Sequence, residues 1–190
     1  MDNSYIWNSV IKFSMKVLYF LSCFIFVSNA FAQNSKRDLR KIEKAAQDIT
    51  VKEDEFDGTT RWTSPYLNGL IDARLPKAVR FLKVKNKDGS YSIYLTLTSF
   101  GQTLNVGEKG ATLLFEDGTR FEKPSVKIDV ENRDGIWEYT MFERITEEEL
   151  EMFVTKKVDK FRLFIYENQP IRKIEALRIM GYARGIKEVK

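Results

Sequence analysis

The sequence predicts an α+β fold, predominantly antiparallel β, with a short capped helix before the last main strand and helices toward the two ends; three observations predict it. Apolar and polar residues alternate in stretches from residue 79 to residue 166, the period of two expected of a sheet with one buried face. Three junctions between these stretches carry Asp-Gly, at Asp88-Gly89, Asp117-Gly118 and Asp134-Gly135, a dipeptide suited to the positive φ of a tight hairpin turn. A helix start is written at Thr146, between strands. With about seven strands, a β-sandwich and a strongly curved sheet or partial barrel both fit, although a helix inserted before the last strand disfavours a simple up-and-down barrel.

The chain opens with an apolar run from Val17 to Val27, preceded by Lys12 and Lys16 and followed by Ser28-Asn29-Ala30-Phe31-Ala32. A basic start, a short apolar run and small residues at Ala30 and Ala32 match a secretory signal peptide spanning residues 1–32 and cut before Gln33. Met15 would serve as its start as well as Met1. A membrane-crossing helix needs about 20 apolar residues, so no transmembrane anchor is expected. A lipid anchor on Cys23 is disfavoured, because Phe20-Leu21-Ser22 is a poor lipoprotein triplet and the apolar run continues past the cysteine. The expected location is therefore periplasmic or extracellular.

Residues 33–50 read as a charged helix or tether, since Leu39, Ile42 and Ala46 give Ser35 to Gln47 only a thin apolar stripe. Residues 51–190 are expected to form a single globular domain. Val51 to Gly58 reads as a strand placing Glu53, Glu55 and Asp57 on one face, and three carboxylates ahead of a glycine raise the question of calcium. In an EF-hand loop numbered from Glu53, position twelve falls on Ser64 where a bidentate Glu is required. A solvated strand face is preferred, and no metal or cofactor is expected. Arg61 to Pro76 is the least regular region, with one glycine and two prolines. Trp62 and Tyr66, with Arg61 and Arg74, form the candidate binding patch, an aromatic and basic surface able to stack on sugars or peptides. The competing reading places these aromatics over the open end of the core.

Val79 to Lys85 and Tyr91 to Thr98 form a hairpin, with Tyr91, Ile93, Leu95 and Leu97 on one face of the return strand. Ala111 to Glu116 and Thr119 to Glu122 form another. Gly101, Gly107 and Gly110 between them lack a phosphate-loop Lys-Ser/Thr and read as turn glycines. Ser125 to Glu131, with Val126, Ile128 and Val130 inward, pairs with the strand carrying Trp137, Tyr139 and Met141. Thr146 and Glu149 make a capping box, stapled by Ile145 and Leu150. Glu147 to Glu149 at the start and Lys156 and Lys157 at the end complement the helix dipole, while Leu150, Phe153 and Val154 share one face. Phe161, Leu163 and Ile165 lie on one side of the next strand and Arg162, Phe164 and Tyr166 on the other. That two-sided apolarity predicts a central strand. After Pro170, Ile174, Leu177 and Met180 suggest a terminal helix ending near Gly181; Leu177 and Ile179 also alternate as a strand would, and the helix is preferred.

Composition narrows the chemistry. The chain has no histidine and one cysteine, Cys23, which removes histidine-based acid–base catalysis and the usual Ser-His, Cys-His and zinc arrangements. Without residues 1–32 it keeps 29 basic and 26 acidic side chains, interspersed throughout, so nucleic acid is not an expected partner. The segment from Ile145 to Phe164, an acidic capped helix followed by Lys-Val-Asp-Lys-Phe-Arg-Leu-Phe, resembles a segment of uncharacterised exported bacterial proteins built mostly of strands. That resemblance implies an exported β-rich domain and supplies no active-site residue. The leading expectation is a non-catalytic exported binding or envelope-associated module, with a glycan or an envelope protein as candidate partner. The alternatives are a carboxylate-based hydrolase such as a glycoside hydrolase, drawing on Glu53, Glu55, Asp57, Asp117 or Asp134, and an assembly protein acting by edge-strand addition.

Overall fold

The computed structural model describes residues 35–190 apart from 57, 68–77, 134 and 168–169. The expected signal segment, with Cys23 and the cleavage point before Gln33, lies outside the described residues. Nine strands are described: β1 (Thr50–Glu53), β2 (Thr60–Thr63), β3 (Ala78–Lys85), β4 (Tyr91–Gly101), β5 (Lys109–Phe115), β6 (Arg120–Arg133), β7 (Ile136–Ile145), β8 (Val158–Leu163) and β9 (Tyr166–Glu167). They form one open antiparallel sheet in the order β1-β2-β3-β4-β7-β6-β5-β8-β9. Helices α1 (residues 35–46), α2 (Glu147–Thr155) and α3 (Lys173–Glu188) complete the α+β fold.

The sheet bends because β6 changes partner along its length. Arg120 to Lys127 pairs with β5 and Ile128 to Arg133 with β7. Pro124, which has no amide to donate, sits where the β5 register slips between Lys109 and Ala111. A proline and a bulge at one point let a strand of 14 residues turn from one half of the sheet into the other. The bend brings distant strands together. Ser99 Oγ on β4 donates to the carbonyl of Tyr166 on β9 at 3.3 Å, although the two strands stand five places apart in the sheet.

The hairpin turns close as their sequence requires. Gly118 takes φ 83°, and Asp117 Oδ1 accepts from the Thr119 amide at 3.0 Å and its hydroxyl at 2.6 Å. The turn at Asp88 repeats the arrangement on Ser90, at 2.9 and 2.6 Å. These Thr119 hydrogen bonds, with Lys156 adding a smaller effect, hold the Asp117 carboxyl down to about 2 from 3.8. A carboxyl depressed in the folded state contributes stability above the unfolded pKa and loses it as pH falls toward the folded one. Asp117→Asn should therefore cost stability at pH 5 and converge on the parent as pH falls through about 2, a convergence that thermal melts from pH 5 downward would reveal. A constant gap would show that the turn does not depend on the charge.

Inward side chains of the curved sheet enclose the core. Val79 and Phe81 of β3, Leu95 and Leu97 of β4, Leu113 and Phe115 of β5, Tyr139 and Met141 of β7, and Phe161 and Leu163 of β8 are all buried. Helix α2 fills the hollow. Its capping box is formed as the sequence predicts: Glu149 N donates to Thr146 Oγ1 at 3.1 Å and Thr146 N to Glu149 Oε2 at 2.9 Å. The cap fixes the helix phase so that Leu150 and Phe153 point inward, and the Phe153 ring meets Phe81, Phe115 and Phe121 edge-on at 5.3, 5.5 and 5.4 Å. At the other end Lys156 and Lys157 turn to the β5–β6 hairpin, pairing with Asp117 at 3.0 Å and Glu116 at 3.7 Å.

Two expectations are corrected here. Strand β8 is next to the edge, not central. It stops at Leu163, Phe164 takes φ 53° and Ile165 is exposed, so the apparent two-sided strand joins a one-sided strand to the turn after it. The terminal helix does not end near Gly181 but continues to Glu188. A Cβ at Gly181 would lie 2.5 Å from the Ile42 carbonyl oxygen, and one at Gly185 2.5 Å from that of Ala46. The two glycines admit the backbone of residues 42–46 against α3, a packing role rather than a stop. The helix start is held by Glu175, which is buried; it accepts from the Arg172 amide at 3.0 Å and pairs with its guanidinium. The far end is pinned by Lys83, whose Nζ donates to the Val189 carbonyl at 2.7 Å and lies 4.7 Å from the Tyr91 ring centre. Burial pushes the Lys83 ammonium down from its ordinary pKa.

Candidate functional site

Strand periodicity places every second residue of β3, β4 and β7 on the face opposite the core. The register aligns Arg80 with Thr96 and Phe142, and Leu82 with Tyr94 and Arg144. On this outer face Phe142 stacks on Tyr94 with ring centres 4.9 Å apart and planes 8° from parallel. Tyr66 lies over Arg80, whose guanidinium carbon is 4.3 Å from the ring centre and whose Nη1 donates to the Tyr66 hydroxyl at 2.7 Å. Phe142 and Tyr66 remain 51% and 47% exposed, which leaves apolar ring surface and a cation open to a ligand. The Arg80 Nε is buried and has no acceptor among the described residues. Stacking on Tyr66 contributes about 0.5–1 kcal/mol at such a site and fixes the guanidinium in place.

The candidate patch of Arg61, Trp62, Tyr66 and Arg74 is assembled differently. Arg61 and Trp62 are successive residues of β2 and point to opposite faces. Trp62 is buried, aligned with Lys83 and 6.2 Å from the Tyr91 ring, so it caps the core. Arg61 aligns with Val84 and pairs with Asp54 at 3.4 Å. Arg74 lies outside the described residues. Among the described residues of that patch only Tyr66 joins the aromatic face, with partners from β3, β4 and β7. Tyr94 and Phe142 carry a signal in the sequence: each is a large ring at a position that alternation assigns to solvent.

Strand β1 stops at Glu53 instead of continuing to Asp57, because Asp54 folds the chain: its Oδ1 accepts from the Phe56 amide at 3.1 Å and its carbonyl from the Gly58 amide at 2.8 Å. Glu53 and Glu55 are exposed, and Asp57 and Asp134 lie outside the described residues. Among the described residues no three His, Cys, Asp or Glu side chains gather at metal-binding distance. Among the described residues the perturbed carboxyls, Asp88, Asp117, Glu148 and Glu167, all move downward, held ionised by hydrogen bonds or by Lys160. A general acid needs the opposite shift.

A second surface lies on the other half of the sheet. The outer positions of β6, β5, β8 and β9 form an aligned row of Glu122, Thr112, Arg162 and Glu167, with Arg120, Leu114 and Lys160 beside it. Together they line a groove of about 290 Å³. Lys160 pairs with Glu167 at 2.6 Å and Arg120 with Glu122 at 3.9 Å. No family of known proteins, no curated protein and no solved structure matches the chain. No described helix is long and apolar enough to cross a membrane.

Proposed function

We propose that the protein is an exported, non-catalytic binding module that holds a glycan chain against the outer face of β3, β4 and β7. The observation that carries this reading is the pair of ring contacts on one open sheet face, Tyr94 on Phe142 and Tyr66 on Arg80. Ring surface takes the C–H side of a sugar, while the tyrosine hydroxyls and the guanidinium offer hydrogen bonds to its hydroxyls. Export rests on the basic start and apolar run of residues 1–32, and the resemblance of residues 145–164 to exported β-rich proteins agrees with it. Edge-strand addition is less favoured, since β1 has four residues with Lys52 and Glu53 among them and β9 has two; short charged edges resist pairing.

Titration calorimetry with peptidoglycan fragments and neutral oligosaccharides tests the reading. Phe142→Ala and Tyr94→Ala should each weaken binding by about tenfold, the equivalent of about 1.4 kcal/mol, with little change in melting temperature. Trp62→Ala should lower stability instead. Binding that survives both outer-face substitutions, or no binding to any glycan, would remove the proposal.

A further inference from the structure

The outer face of β3, β4 and β7 is uneven in charge, and the unevenness assigns a class to the ligand it takes. The register sets two rows across these strands, one of Leu82, Tyr94 and Arg144 and the next of Arg80, Thr96 and Phe142. Arg80 and Arg144 thus stand at opposite corners, about 12 Å apart at the backbone. The stacked rings of Tyr94 and Phe142 lie between them. Arg80 is already fixed: Tyr66 covers its guanidinium and takes a hydrogen bond from Nη1, while Nε is enclosed without an acceptor among the described residues. A ring and a hydroxyl orient this cation but bring no counter-charge. Arg144 is exposed near the end of β7.

The carboxylates around this face are engaged or placed elsewhere, and neither arginine has one within ion-pair distance among the described residues. Asp129, aligned with Thr140, comes nearest in register and is paired with Lys127 at 2.9 Å. Glu143 precedes Arg144 but belongs to the core-side set, opposite Leu95. Of the acids that begin α2, Glu147 acts on Lys83 on the core side, Glu149 pairs with Lys123 at 2.7 Å, and Glu148 is held ionised by its own backbone amide and by Thr146. Glu131 and Glu138 stand opposite one another, Glu138 about 14 Å along β7 from Phe142. The face thus has a cationic end around the rings and an anionic end beyond Thr140, which draws an anionic chain to the first and turns it away from the second. We infer that the ligand of this face is an acidic glycan, with a sugar ring on Tyr94 and Phe142 and its carboxylate or sulfate groups at Arg80 and Arg144. The inference rests on the glycan reading above and adds to it the charge of the ligand and Arg144 as a residue that selects it. A planar guanidinium with several donors suits either oxyanion.

Titration calorimetry of the full chain with a linear oligogalacturonate, and with the same oligomer methyl-esterified at every carboxyl, isolates the charge, since both forms share their ring faces and hydroxyls. The acid should bind about tenfold or more tighter than its ester at low ionic strength, and added salt should narrow the gap. Arg144→Gln should bring the acid down toward the ester while the affinity for the ester and the melting temperature stay at the parent values. Arg80→Gln should also reduce the preference, and Arg80→Lys, which keeps the charge, should retain more of it. A sulfated oligosaccharide of equal length distinguishes the oxyanions: the tighter of the two acidic ligands names the group that the arginines hold. Equal affinity for acid and ester, or a preference that survives Arg80→Gln and Arg144→Gln together, overturns the inference and leaves glycan binding by Tyr94 and Phe142 standing. Binding of neither acidic ligand overturns it as well; neutral oligosaccharides that still bind would then keep the glycan reading, and a blank for all of them would remove both.

Discussion

Phe153→Ala should lower the free energy of unfolding by about 3–5 kcal/mol, the cost of emptying a fully packed aromatic site. The site has little room to collapse. Phe153 is wholly buried, and the rings that touch it come from three strands: Phe81 on β3, Phe115 on β5 and Phe121 on β6. Those strands belong to both halves of the bent sheet, so the cavity would open where the halves face one another across α2. Each edge-on ring pair adds about 0.5–1.5 kcal/mol beyond its buried area, which places the substitution toward the upper end of the range. At this chain length the loss corresponds to a melting temperature about 10–15 °C lower. Phe153→Leu, which keeps most of the volume, should lose less than half as much. Urea denaturation of the three proteins measures the difference directly. If Phe153→Ala unfolds at the parent midpoint, α2 is not the element that joins the two halves.

The reason Phe153 could be picked out in sequence is local. Thr146 and Glu149 set the first turn, Ile145 and Leu150 staple it, and the phase of the helix then follows. The Asp-Gly turns at 88 and 117 are legible for the same reason, since each is closed by a side chain two residues from the backbone it bonds. What depended on distant partners was not legible. Pro124 reads as a strand boundary between Glu122 and Ser125, yet β6 runs through it, because the bulge in β5 absorbs the irregularity and β7 takes over the pairing. The aromatic face needed the register of three strands. Nothing near Tyr66 in sequence indicates that its partner is Arg80, or that Tyr94 would meet Phe142 from a strand more than forty residues later. Arg61 and Trp62 look like neighbours in a chain and are separated by the sheet itself.

The two glycines of α3 test the opposite kind of error, in which a residue with a familiar local meaning is used for packing. In an exposed helix, replacing glycine by alanine gains about 0.8–1 kcal/mol. At Gly185 the new methyl would stand 2.5 Å from the Ala46 carbonyl oxygen and 2.7 Å from Ile49 Cγ1, and at Gly181 2.5 Å from both the Ala45 Cβ and the Ile42 carbonyl oxygen. Contacts that short cannot persist, and most of the atoms met belong to backbone, which moves only if residues 42–46 move as a unit. Overpacking of this kind costs about 1–3 kcal/mol, more than the helical preference returns. Gly181→Ala and Gly185→Ala should each therefore be destabilising, and Gly181→Val more so, since its branch adds to the same crowding and disfavours the helix as well. Hydrogen exchange separates this from a general loss of stability. Amides of residues 42–46 should lose protection first, because they are displaced from Gly181 and Gly185 while the sheet around Phe153 stays closed. A rise in stability of about 1 kcal/mol for either alanine would mean that the helices do not approach so closely and that the glycines serve some other end.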